Sequence, residues 1–138
     1  MAARVARHRQ SRAGRDWETA EASTELTAAI GAAKDYRVIL IDCLTIWTSN
    51  LLWAVEQEER EFDEEEIVEV TETVLAAARR HNGNLIFVTN EVGMGIVPEN
   101  SLGRKFRDLA GRVNQVCAAE ADRVIFLVSG IPWTLKGT

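Results

Sequence analysis

Asp42 stands directly after the apolar run Val38-Ile39-Leu40-Ile41. A carboxylate there lies at the carboxyl edge of a sheet, where phosphate-transferring enzymes hold Mg²⁺ or its waters. Apolar strands of parallel α/β proteins also end in Asp without such a role, so the position alone leaves both readings open. Asn90 and Glu91 follow a second apolar run and precede Gly93 and Gly95. Their amide and carboxylate can meet a ligand at a strand end, or they can cap a loop whose glycines permit a tight path. The loop carries GxG without a third glycine or a helix directly after it, so it is not a dinucleotide fingerprint, and no GxxxxGK[ST] element occurs in the chain. His8 stands among Arg4, Arg7, Arg9, Arg12 and Arg15. Guanidinium groups suit a polyphosphate, and neighbouring cations favour the neutral imidazole that can attack phosphorus. A solvated basic helix with an incidental histidine would look the same. His81, at a helix end, reads as structural.

These residues need elements to position them. The segment from Met1 to Gln10 has helix-forming residues, and Ser23 is a cap candidate for a helix running to Ala33. "RVILID", "LIFVTN" and "RVIFLV" are continuous apolar runs that predict strands buried on both faces. Between them, "CLTIWTSNLLWAV" predicts a helix apolar nearly all round. Ile67, Val70, Val74 and Ala78 mark the buried face of another helix behind an acidic segment, Glu56 to Glu66. Leu102, Phe106, Leu109, Val113 and Val116 form the stripe of the last helix, and "SGIPWTLKG" reads as a short tail. Alternating strands and helices of this kind predict an α/β fold, a mostly parallel sheet with helices on both faces, and ligands collect beyond the carboxyl ends of its strands.

Composition narrows the function classes. The chain of 138 residues is one domain's worth, with 46% hydrophobic and 27% charged residues, as expected of a globular protein. A net charge of -5 argues against general binding of nucleic acid or of a membrane surface. Cys43 and Cys117 lie 74 positions apart with no CxxC pair, and read as reduced core residues. No apolar run approaches the roughly 20 residues a membrane span needs, so a cytoplasmic location follows by elimination.

Together, "MAARVARHR", "DWETAE", "VILIDCLTIWTSNLL", "VTNEVGMGIVPENSLGRKFRDLAGRVNQ" and "VSGIP" resemble the bifunctional adenosylcobinamide kinase/adenosylcobinamide-phosphate guanylyltransferase family of cobalamin biosynthesis, in the family's order and over essentially the whole chain. The resemblance implies a RecA-like P-loop NTPase fold. It also implies two reactions: phosphorylation of adenosylcobinamide by a nucleoside triphosphate, ATP or GTP, with Mg²⁺, and transfer of GMP from GTP to adenosylcobinamide phosphate through a GMP-histidine intermediate. By the match to "RVARHR" the histidine is His8. Arg9, Gln10, Ser11 and Arg12 match the nucleotide-contacting stretch, and Glu21 matches a nucleotide-contacting acid. Asp42 matches the acid after the next strand, where many relatives carry Glu, and would serve as metal ligand. Asn90 and Glu91 would face the substrate.

The resemblance also implies a homo-oligomer. Its first strand and GxxxSGKS-type loop find no counterpart in the sequence. The expectation is therefore a single domain over residues 1–138, N-terminally truncated and weak or inactive as a catalyst. The alternative is a non-catalytic oligomeric remnant that uses the helix bearing Trp47 and Trp53 as an interface.

Overall fold

The computed structural model describes residues 17–138, so the basic segment around His8 lies outside the described residues. The first element is α1 (Leu26–Ala32), which buries Leu26 and Ile30. Its N-cap is Glu25 with no side-chain hydrogen bond, so the expected Ser23 cap is not formed. The reason lies in the next helix: Asn50 Nδ2 donates to the Ser23 carbonyl at 3.0 Å, and Trp47 Nε1 donates to the Thr24 carbonyl at 2.9 Å. The chain entering α1 is held by its backbone, and the Ser23 side chain is not needed.

Strand β1 (Val38–Asp42) runs into α2 (Leu44–Gln57), which is followed by α3 (Glu64–Arg79) and β2 (Asn84–Val88). The start of α3 is set locally. Asp63 is its N-cap and accepts from the Glu66 amide at 2.9 Å, while Glu64, Glu65 and Glu66 place negative charge on the positive end of the helix dipole. Phe62 before the cap and Ile67 in the first turn occupy hydrophobic-staple positions, and both are buried. β1 and β2 pair in parallel, with Ile41 opposite Phe87 and Asp42 opposite Val88. Next comes α4 (Ser101–Glu120), capped by Asn100, whose Oδ1 accepts from the Gly103 amide at 2.6 Å.

The core joins α1, α2, α3 and α4 to one face of the β1–β2 sheet. Leu26, Ile30, Ile41, Leu44, Trp47, Leu52, Phe62, Ile67, Val74, Leu109 and Val113 form it, with Ile39, Leu85 and Phe87 packed against it. The other face carries Val38, Ile86 and Val88, which are 39%, 49% and 38% exposed. The expectation of strands buried on both faces and helices on both sides is therefore corrected for the described residues. A continuous apolar run specifies a strand but not which of its faces a helix covers. Trp47 is likewise corrected as an interface residue, because it is 2% exposed in the core; Ile46 and Trp53 form the exposed apolar surface of α2, at 60% and 65%.

The third apolar run is corrected as well. β3 (Val124–Val128) does not join the parallel sheet but pairs antiparallel with β4 (Ile131–Lys136), the segment read as a tail. Ser129 and Gly130 connect them with φ of 53° and 79°, the left-handed pair that matches the twist of a two-residue hairpin. An apolar strand followed by Ser-Gly and a second apolar segment finds its partner locally, with little loop to close. Lys136 Nζ fastens the hairpin to the end of α4, donating to the carbonyls of Ala118 at 3.1 Å and Ala119 at 2.7 Å.

Candidate functional site

Parallel pairing of Asp42 with Val88 puts the carboxyl ends of β1 and β2 side by side. The residues just beyond them, Cys43 to Thr45 and Thr89 to Glu91, therefore share one edge. α2 begins immediately after β1, with Cys43 as its N-cap, so Thr45 lies in its first turn. Thr45 Oγ1 accepts from the Asn90 backbone amide at 2.8 Å and from Asn90 Nδ2 at 3.1 Å. It also lies 3.3 Å from Thr89 Oγ1. From α4, Asn114 closes the group: its Oδ1 accepts from Thr89 Oγ1 at 2.7 Å and its Nδ2 donates to the Asn90 carbonyl at 3.1 Å. Two helices, α2 and α4, thus hold the segment that carries Asn90.

The loop beyond it is tied to itself and to α4. Glu91 Oε1 accepts from the Gly93 amide at 2.9 Å, so Glu91 shapes the turn as the loop-capping reading had it. Arg107 Nη2 donates to the Gly93 carbonyl at 3.0 Å. Arg104 Nη1 donates to the Pro98 carbonyl at 3.1 Å and to that of Glu99 at 2.5 Å. Between these ties Met94 and Ile96 are exposed. On the other side of the chain the Tyr36 phenol donates to Glu18 Oε2, which anchors the "WETAE" stretch to the turn before β1. That hydrogen bond to a carboxylate is the main cause of a raised Tyr36 pKa.

Of the residues singled out by sequence, Asp42, Asn90 and Glu91 are brought to one sheet edge, all exposed. Glu21 lies in the irregular stretch before α1 and is exposed. His8, Arg9, Gln10, Ser11 and Arg12 lie outside the described residues. Thr45, Thr89 and Asn114 were not singled out. Asn114 did offer a signal: a helix-disfavoured amide one position from the buried Val113. Among the described residues no group of three or more His, Cys, Asp or Glu side chains could hold a metal ion. A strand-end carboxylate such as that of Asp42 fits Mg²⁺, which keeps most of its waters and takes one or two protein carboxylates beside substrate phosphates.

Residues 1–135 match the family described as cobinamide kinase / cobinamide phosphate guanyltransferase. The chain belongs to this family. Among its relatives is the bifunctional adenosylcobalamin biosynthesis protein CobU of Salmonella typhimurium, 44% identical over 144 residues, covering 99% of this chain and 78% of the relative. The Escherichia coli protein of the same name is 42% identical, with 99% and 78% covered. The bifunctional adenosylcobalamin biosynthesis protein CobP of Pseudomonas aeruginosa is 36% identical, with 99% and 75% covered. The family is one of enzymes of cobalamin biosynthesis, as the motifs read from the sequence implied. No helix among the described residues is long and apolar enough to cross a membrane.

Proposed function

We propose that this cobinamide kinase family member forms a single domain over residues 1–138 that acts in the cytoplasm on adenosylcobinamide and adenosylcobinamide phosphate. The observation that carries the reading is the match of residues 1–135 to a family named for both a kinase and a guanyltransferase activity. The parallel α/β edge bearing Asp42, Asn90 and Glu91 supports it, because ligands of such sheets gather beyond the strand ends. In this reading the architecture is that of a RecA-like P-loop fold. The imidazole of His8 attacks the α-phosphorus of GTP and pyrophosphate leaves. The phosphate of the cobinamide ester then displaces the imidazole to give adenosylcobinamide-GDP. Arg9, Gln10, Ser11 and Arg12 hold the nucleotide beside it, the guanidinium groups of Arg9 and Arg12 offsetting charge on the departing pyrophosphate. Glu21 contacts the guanine or ribose.

Asp42 would hold Mg²⁺, whose charge when bound offsets that of the transferring phosphates. Asn90 and Glu91 lie on the substrate side. The exposed Ile46 and Trp53 suit assembly with copies of the same chain. Incubation with GTP labelled on the α-phosphate tests this reading: acid-labile labelling that is lost in His8→Ala is expected. Absence of label at millimolar GTP would overturn the histidine route.

A further inference from the structure

The hydrogen bonds around Asn90 can be assigned donor by donor, because backbone groups anchor both ends. The Asn90 amide can only donate, and it donates to Thr45 Oγ1. The Asn90 carbonyl can only accept, so the Asn114 atom 3.1 Å from it is the amide nitrogen. The other Asn114 atom is then the oxygen, and Thr89 Oγ1, 2.7 Å away, must give it a proton. A hydroxyl has one proton, so toward Thr45 the Thr89 oxygen is an acceptor, and Thr45 donates across the 3.3 Å between them. Thr45 Oγ1 keeps only lone pairs for Asn90. One takes the backbone amide, and the other meets the side-chain amide at 3.1 Å, which must therefore present nitrogen. Cys43 Sγ, 4.0 Å from the same nitrogen, is a weak second acceptor. The carboxamide oxygen of Asn90 accordingly has no hydrogen-bond partner among the described residues, on a side chain that is exposed.

We propose that Thr45, Thr89 and Asn114 are positioning residues that fix the polarity of the Asn90 amide, so that this edge offers hydrogen-bond acceptors and selects the free hydroxyl of an alcohol substrate over its phosphate ester. The inference rests on the reading above that this edge faces the substrate. Its physical basis is that a free amide would rotate to offer either an acceptor or a donor. Locked as it is, Asn90 adds an electron-rich oxygen beside the Asp42 strand end. That arrangement favours a ligand O–H and disfavours the oxygens of a phosphate dianion.

Calorimetric titration of the full chain with adenosylcobinamide and with its phosphate ester, in wild type and in Thr89→Val, tests it. Valine keeps the shape but removes the relay. Thr45 is then free to donate to a rotated Asn90, which turns its NH₂ outward. The preference for alcohol over ester is expected to fall by about tenfold, the worth of one good hydrogen bond, and Thr89→Ser restores it. A merely structural role would weaken both ligands alike, and that outcome or an unchanged preference overturns the proposal while leaving the functional reading intact. Wild-type protein that binds neither ligand overturns both. Should Thr89→Val not fold, nitrogen-15 spectra of the wild-type side-chain amides decide the matter. Asn90 and Asn114 protons protected from exchange support the relay, and freely exchanging ones overturn it.

Discussion

Burial pushes the Cys117 thiol up to about 11 from an ordinary value near 9, since the thiolate would lose its hydration on the inner side of α4. The sign of the stability effect follows. Below about pH 9 both folded and unfolded chains hold this proton, and the contribution of Cys117 is fully present. Between about pH 9 and 11 the unfolded chain releases the proton while the folded chain keeps it, so stability falls as pH rises. Urea unfolding at pH 7, 9 and 10.5 should show a smaller alkaline loss in Cys117→Ala than in wild type, and parallel losses would contradict the assignment. The thiol read from sequence as a reduced core residue fits this environment. Its depth did not follow from sequence, because only packing decides how far a half-buried position of α4 is covered.

An element's ends can be more legible than its partners. The start of α3 was foreshadowed by an acidic segment feeding a helix, and the structure supplies the Asp63 cap with its bond to the Glu66 amide. Asp63→Ala should destabilise the protein by about 1 kcal/mol, and Asp63→Asn by much less, because the amide oxygen still accepts; the midpoints of denaturant unfolding measure both. Toward the other end of the chain a local signal of the same kind competes with composition. Ser129-Gly130 between two apolar segments is a hairpin signature, yet "RVIFLV" has the composition of a strand in a parallel sheet too. Composition is common to both pairings, and the turn decides between them.

For the molecule as a whole, stability resides where the helices meet one face of the sheet. Leu109, 2% exposed, lies in the core with Ile67 at 0% and Val113 at 1%. Leu109→Ala should cost about 2–5 kcal/mol through lost transfer energy and the cavity left behind. Leu135, 55% exposed on the hairpin, should tolerate alanine within about 0.5 kcal/mol. Urea midpoints compare the two, and equal losses would mean that the hairpin belongs to the same core.

The sequence by itself determined three of the strands and the helices between them, most of the buried helix positions and, through motifs spread along the chain, membership of the family. Those properties are local: periodicity and motif identity are written in neighbouring residues. Tertiary structure alone decided that β1 pairs with β2, which face of that sheet is covered, and that Asn114 reaches the Asn90 carbonyl across 24 positions. Each of these depends on competition among distant apolar surfaces for burial, and no short window of residues records the outcome.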